Sequence, residues 1–251
     1  MFRNLKTRLA VVLALASAQL LAQGHDNTTR VKPGDIFYIE AGTNAKRFID
    51  YRSWNSGLGT PQGVVFYSYY GPRPSAPTET PSWHGWIVDK DLTSSSCAWC
   101  MCQQSAGGID ILTNYALEDA MLDTAGYQNT KKIIEVFNDP KTDPVYRTEY
   151  DSWGNYSAAP ACYHKDNTSH SWYLPALGQL NVLIGQLGVV NAALSVCGTP
   201  IRVSGWCNWW SSTQRQTTIR PQIAVIGPNA CINTDGQDQY GPHLVRAVKS
   251  F

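Results

Sequence analysis

Apolar and polar positions divide the chain into strand-like runs, then helical stretches, then strand-like runs again. Runs rich in β-branched and aromatic residues predict strands. The predicted strands are residues 35–39, 64–70, 83–88, 206–213, 221–226 and 244–251. Apolar residues recur at helical spacing in residues 109–122 and 133–137, and again from residue 177 onward. Strands and helices are therefore segregated, which predicts an α+β fold: a mixed, mostly antiparallel sheet with two or three helices and long loops.

The stretch Trp172-Tyr173-Leu174-Pro175 predicts a buried strand that turns into a core helix. Pro175 lacks a backbone N–H, so it ends the strand and opens the helix, which we expect to run to about Leu194. Glycines at 178, 185 and 188 each weaken this helix by up to about 1 kcal/mol relative to alanine. Packing against the rest of the domain must therefore hold it.

The first residues have the pattern of a secretory signal peptide. Arg3, Lys6 and Arg8 precede a short apolar run, and small residues suited to cleavage follow, ending at Ala22. The run is interrupted by polar residues and is shorter than the roughly 20 residues of a bilayer span. We therefore expect a signal peptide over residues 1–22 and a secreted, periplasmic or cell-surface location, with no membrane span after its removal.

The remaining chain is expected to form one domain. Residues 23–34 are polar and predict an N-terminal arm, and residues 35–251 predict a single domain with loop insertions around residues 71–82 and 138–160. The 71–82 segment is rich in proline, which favours an extended surface loop between two strands of a hairpin. The last strand, residues 244–251, is expected to close the sheet beside the first.

Charge argues against two classes of partner. Removal of residues 1–22 takes Lys+Arg from 20 to 17 against 19 Asp+Glu, a net charge of about −2. Proteins that bind nucleic acid or anionic membranes select for a strong basic field. We therefore expect neither partner, and a glycan or a surface protein instead.

Seven cysteines follow the predicted signal peptide. Export favours disulfides, and an odd number leaves at least one cysteine without an intramolecular partner. Cys97-x-x-Cys100-x-Cys102 is compatible with half a zinc site or a redox pair. No second ligand pair follows at zinc spacing, and no βαβ context surrounds the motif. Structural or unpaired cysteines are therefore favoured, with no metal and no cofactor.

Tryptophans near residue 208 are candidates for a ligand platform, because flat rings stack on sugar faces and their N–H groups bind hydroxyls. Trp206, Asn208 and Trp209 are the candidate ligand-binding residues in this stretch. Trp172 and Trp210 are interpreted as core.

A second candidate stretch, residues 233–238, contains Asp235 and Asp238, which we also include as ligand-binding candidates. It superficially resembles a calcium loop. Calcium takes six to eight oxygens, and the stretch offers two carboxylates and one Asn, so a solvated hairpin turn is favoured.

The sequence shows no recognisable motif for nucleophilic catalysis. Ser211 and Ser212 do not lie in a Gly-x-Ser-x-Gly elbow, and no histidine is spaced to serve either of them. No catalytic residue is predicted.

The order of several motifs resembles the Lcl C-terminal-like domains of secreted bacterial proteins. The motifs are Gly63-Val64-Val65-Phe66-Tyr67, His84-Gly85-Trp86-Ile87-Val88, Asn129-Thr130, Trp172-Tyr173-Leu174-Pro175, Trp210-Ser211-Ser212-Thr213 and Val245-Arg246-Ala247-Val248. The resemblance implies a C-type-lectin-like fold, related to formylglycine-generating-enzyme and adhesin domains. Ala176, Gln179 and Gln214 depart from the family pattern, which puts in doubt any role that needs a carboxylate at 179 or 214.

Together these features predict an exported, non-enzymatic recognition or adhesion module that binds a glycan or protein ligand through surface loops. The first alternative is a structural subunit of a bacterial surface or fimbrial assembly. The least favoured alternative is a formylglycine-generating-type oxidase, because the cysteine signature of that enzyme is missing.

Overall fold

The computed structural model describes residues 24–97, 99, 117–138, 157–166, 169–202, 207–215, 220–226, 232–236 and 243–251. The predicted signal peptide lies outside this part of the chain. The described strands are β1 (Asp35–Glu40), β2 (Lys46–Asp50), β3 (Gly59–Gly71), β4 (Ser82–Asp89), β5 (Ser94–Cys97), β6 (Trp172–Tyr173), β7 (Cys207–Arg215), β8 (Arg220–Ile226), β9 (Ile232–Gly236), β10 (His243–Val245) and β11 (Val248–Ser250). The described helices are α1 (Leu117–Ala120), α2 (Gly126–Asn138), α3 (Ala158–Tyr163), α4 (Leu177–Gly185) and α5 (Leu187–Cys197).

The strands form two sheets rather than one. The first has the order β2-β1-β3-β4-β11-β6 and the second the order β5-β10-β7-β8-β9. All pairings are antiparallel except that of β10 with β7. The α+β prediction, with mostly antiparallel sheet, is confirmed. The expectation of two or three helices was too low, since the described residues alone contain five.

Each face of the six-stranded sheet has its own hydrophobic layer, because neighbouring residues of a strand point to opposite faces. Ile36 and Val88 belong to the layer that packs against α4 and α5. Phe37 and Ile87, their neighbours in sequence, belong to the opposite layer, which includes Trp172, Trp210 and Ile133. The predicted hairpin is confirmed: β3 pairs with β4, and its register shifts between Val65 and Tyr67.

The predicted long helix is two helices. α4 and α5 meet at Gln186 with a bend of 84°. Glycines at 185 and 188 lie on either side of the bend, where they lower helix propensity. None of the described helices is by itself long and apolar enough to cross a bilayer. The bent pair of α4 and α5 is long and apolar enough when the two helices are taken together. Many of the apolar side chains of this pair are buried in the core.

The predicted closing strand is also broken in two. β10 lies in the second sheet and β11 in the first, where β11 sits between β4 and β6. The expectation that the last residues pair beside β1 was wrong, since β3 and β4 separate β11 from β1. The break falls at Arg246-Ala247, the point where the chain passes from one sheet to the other.

Arg246 stabilises the segment where the chain passes between the sheets. Its side chain is 3% exposed, and the guanidinium donates to the carbonyls of Asp89 at 2.9 Å, Lys90 at 2.7 Å and Thr199 at 2.5 Å. Desolvation lowers the pKa of Arg246 to about 10, partly offset by the nearby Asp89 and Asp91 carboxylates. The residue therefore joins the end of β4 to the segment that follows α5.

The described residues of the N-terminal arm pack on the domain. Val31 is fully buried, and its carbonyl accepts from the Ser68 hydroxyl at 2.8 Å. His25 exchanges two backbone hydrogen bonds with Phe48 of β2, and the Asn27 carbonyl accepts from the Trp83 amide of β4. Residues 25–27 thus connect the edge strand β2 with the start of β4.

Replacing Trp172 tests the core. The ring is 2% exposed and packs in the layer that contains Phe37. We expect Trp172→Ala to lower the free energy of unfolding by about 3–5 kcal/mol, measured by urea unfolding. The control Val196→Ala, at a position that is 51% exposed, should stay within about 0.5 kcal/mol of the parent. A Trp172→Ala variant with unchanged stability would place this ring at the surface.

Replacing Arg246 tests the crossing between sheets. Arg246→Met removes the hydrogen bonds to the carbonyls of Asp89, Lys90 and Thr199, and we expect a loss of about 2–4 kcal/mol of unfolding free energy. Arg246→Lys keeps the charge but not the planar fork, so its stability should fall between those of the Met variant and the parent. Denaturant midpoints that are equal for all three proteins would contradict this assignment.

Candidate binding groove

The structure rules out Trp209 as part of an exposed platform. Trp209 is 4% exposed and lies in the helix-side hydrophobic layer, while Trp210 is in the opposite layer. Adjacent residues on β7 point to opposite faces, so each ring enters a different layer. The interpretation of Trp172 and Trp210 as core is confirmed.

The other predicted site residues do not converge on one place in the described structure. Asn208 is half-buried on β7. Asp235 lies on β9 opposite Ile223, so residues 233–236 are a strand and not the expected hairpin turn. Trp206 and Asp238 lie outside the described residues. Among the residues described, no group of three or more His, Cys, Asp or Glu side chains is placed to hold a metal ion.

The buried cysteines have the environment of structural thiols. Burial raises the pKa of Cys97 to about 12 and holds the pKa of Cys162 well above its usual value. Burial also raises the pKa of Cys197 to about 11. A reactive cysteine needs a stabilised thiolate, and these three environments disfavour one. Cys100, Cys102 and Cys231 lie outside the described part of the chain.

A groove of about 890 Å³ lies at the end of the six-stranded sheet where β11 stops. Residues from the arm, from strands β1 to β4, from the proline-rich loop and from the end of the chain line it. Sequence analysis missed this groove. Two features of the sequence could have indicated it: the alternation of aromatic residues at 67 and 69 and at 84 and 86, and the proline-rich loop that follows β3.

Aromatic rings from opposite ends of the sheet meet in the groove. Phe48 of β2 lies 4.8 Å from Phe251, and 5.3 Å from Phe37 of β1, between ring centroids. β2 and β11 are four positions apart in the strand order. In a flat sheet they would be separated by about 19 Å, so the sheet is strongly curled and these rings lie on its concave face.

A second group of rings comes from the hairpin of β3 and β4. Tyr67 pairs with Trp86 and Tyr69 pairs with His84 in the strand register. The Tyr67 and Trp86 rings are 4.5 Å apart, and the Tyr69 and His84 rings 5.6 Å apart. Cross-strand pairing of this kind stabilises the hairpin and holds the rings in fixed positions.

Lysine and arginine side chains line the groove together with these rings. The Lys249 ammonium lies 5.9 Å from the Phe37 centroid and 5.5 Å from the Trp172 centroid, with the Asp166 carboxylate at 4.0 Å. Burial lowers the pKa of Lys249, and Asp166 acts in the opposite direction. Lys46 and Arg73 also line the groove. Among the lining residues described, Asp26 supplies the one carboxylate.

His84 anchors the proline-rich loop to the sheet. The ring is 3% exposed, with Nε2 at 2.9 Å from the Ser82 hydroxyl and 3.1 Å from the Glu79 carboxylate. Nδ1 lies 3.4 Å from Arg73 Nε and 3.3 Å from the Phe251 carbonyl. One buried ring therefore connects the loop, β4 and the end of β11.

Comparison with known proteins finds a similar fold but no family. No family model matches the chain, and no curated protein matches it. A crystal structure of a fimbrial protein from Bacteroides ovatus is similar, with a TM-score of 0.53 and 16% sequence identity. The similarity covers 88% of this chain and 49% of the fimbrial protein, so the chain spans about half the length of that protein. At this identity the similarity shows a shared fold.

Replacing His84 tests the anchoring of the loop. We expect His84→Ala to speed cleavage after Glu79 by a glutamate-specific protease by about tenfold, because the loop opens more often when the ring is lost. The readout is the rate of this cut in the native protein. His164→Ala is the control, since that ring contacts Tyr163 and His170 and does not touch the loop. Equal cleavage rates in both variants would mean that the loop is held by other contacts.

Proposed function

We propose that the chain is an exported, non-enzymatic recognition or adhesion module that binds a glycan or protein ligand through the groove. The observation that carries this proposal is the combination of fixed aromatic rings with cationic side chains in one 890 Å³ concavity. Aromatic faces contribute apolar contact area at little cost in conformational entropy. Lysine and arginine add directional donors to hydroxyls, carboxylates and carbonyls.

The groove replaces the tryptophan platform expected from the sequence. The rings that it offers come from β1 to β4 and from Phe251, whereas Trp209 is buried. The C-type-lectin-like scaffold and the membership among Lcl C-terminal-like domains remain part of this proposal. They rest on the order of the sequence motifs and on an α+β fold with the expected hairpin.

A second candidate function is a subunit of a bacterial surface or fimbrial assembly. The supporting observation is the similarity in fold to the fimbrial protein from Bacteroides ovatus. A cell-surface or secreted location is common to both candidates. The oxidase alternative needs a reactive thiolate, and the raised pKa values of Cys97, Cys162 and Cys197 speak against one at these positions.

The two candidates are separated by measuring what the groove binds. Purified secreted protein is applied to a glycan array and, in parallel, used to capture partners from an envelope fraction. The groove variants are Lys46→Ala and Tyr69→Ala, and the matched controls are Lys132→Ala and Tyr70→Ala, whose side chains are exposed and do not line the groove. We expect each groove variant to weaken glycan or protein binding by about tenfold, and the controls to bind as the parent does.

Two results would change the assignment. Binding that is equally strong in the groove variants and the controls would refute the groove as the recognition site. Capture of a single envelope protein that survives both groove variants, with no glycan bound, would favour the assembly subunit instead.

A further inference from the structure

A second cavity of about 380 Å³ adjoins the groove. Trp86, Thr124 and Ser250 line both cavities, so they form one continuous cleft. We call the smaller one the polar pocket. Its remaining walls come from the first turn of α2, the segment of residues 169–171, β6 and α4.

The lining of the polar pocket differs in chemistry from that of the groove. Each of the ten described lining side chains has a hydrogen-bond donor or acceptor, and none of them is Asp, Glu, Lys or Arg. Four of the ten have aromatic rings: Trp86, Tyr127, His170 and Tyr173. Such a site offers ring faces and uncharged polar groups at the same time, while the groove beside it offers lysine and arginine.

The floor of the polar pocket is rigid. Tyr173 and Gln179 are each 1% exposed, and the Gln179 amide donates to the Tyr173 hydroxyl at 3.0 Å. The Tyr173 hydroxyl also shares a hydrogen bond of 3.0 Å with the Ser250 hydroxyl, and the Gln179 carbonyl accepts from the Ala176 amide. An amide nitrogen has two N–H groups and a hydroxyl accepts two bonds, so this network orients polar atoms before a ligand arrives.

One wall of the polar pocket is held in an unusual conformation. His170 has φ of 45°, in the left-handed region that side chains other than glycine rarely adopt. Its ring stacks on Tyr163 at 4.7 Å and 10°, and Nδ1 lies 3.3 Å from the Tyr163 carbonyl. Backbone strain of this kind persists where the surroundings fix it, and it concentrates at binding sites.

We propose that the polar pocket binds one neutral, hydroxyl-rich ring, such as a hexose unit, of a glycan whose remainder lies in the groove. Sugar hydroxyls match uncharged donors and acceptors, and the apolar sugar face matches an aromatic wall. The described lining has no lysine or arginine to pair with a phosphate or carboxylate, and the ring of its one histidine, His170, is stacked on Tyr163. An acyl chain would leave the polar floor unpaired. This inference rests on the proposed recognition function and specifies its ligand class.

The test uses neutral methyl glycosides of glucose, mannose, galactose and N-acetylglucosamine as probes, with methyl glucuronide as the acidic counterpart. Binding to the full secreted protein is followed by ligand-observed NMR titration. We expect at least one neutral glycoside to bind with a dissociation constant on the order of 1 mM, and more tightly than the glucuronide.

Variants assign the binding to the polar pocket. Tyr127→Ala and Gln128→Ala alter exposed side chains of its wall, and each should weaken glycoside binding by about tenfold. Tyr70→Ala is the matched control for the loss of an exposed tyrosine, and Lys132→Ala is the control for a change at an exposed position of α2 outside the polar pocket. Both should bind the glycoside as the parent protein does.

Three outcomes would overturn the inference: no neutral glycoside binds, the glucuronide binds more tightly than all of them, or Tyr127→Ala and Gln128→Ala bind unchanged. The proposed function has a separate readout, since it predicts loss of array or envelope binding in Lys46→Ala and Tyr69→Ala. Failure of the polar pocket therefore leaves the groove assignment intact, and failure of the groove is visible in different variants.

Discussion

The buried guanidinium of Arg246 is the interaction on which the arrangement of the two sheets depends. The chain leaves the second sheet after β10 and enters the first at β11, and at this crossing its backbone is outside both ladders. Three carbonyls from two other segments converge on the Arg246 side chain. An arginine buried to this degree carries a large desolvation cost, which charge-assisted hydrogen bonds to several acceptors offset. Arg246 thereby connects the crossing to the end of β4 and to the segment that follows α5.

The position of β11 in turn creates the cleft. β11 inserts between β4 and β6, and the curl of the sheet brings Phe251 against Phe48 at the opposite edge. The arm crosses the opening between these edges through His25 and Asn27. β11 pairs with β4 only as far as Trp86, and β4 extends beyond this point to Ser82. The rings of the β3–β4 hairpin and those of the concave face therefore line the same groove. The groove is thus a product of strand order and curvature.

Local pattern was sufficient to predict β1, the hairpin of β3 and β4, and the strand at Trp172-Tyr173, because period-two alternation and turn residues act over short distances. It was insufficient for the bend at Gln186 and the break at Arg246, where tertiary contacts decide the conformation. The prediction of Trp209 as a ligand-binding residue was limited in the same way, because its burial depends on tertiary contacts. The side chains of two adjacent tryptophans on a strand point to opposite faces of the sheet. Whether a face is exposed to solvent depends on the elements that pack on it, and these are distant in sequence.

The same geometry fixes the polar groups of the groove in place. Both ring nitrogens of His84 face partners: Ser82 and Glu79 on one side, Arg73 and the Phe251 carbonyl on the other. Lys249 is similarly committed, since its ammonium is held between two rings and Asp166. Groups fixed in this way present a constant surface to a ligand, and that is the property on which recognition depends.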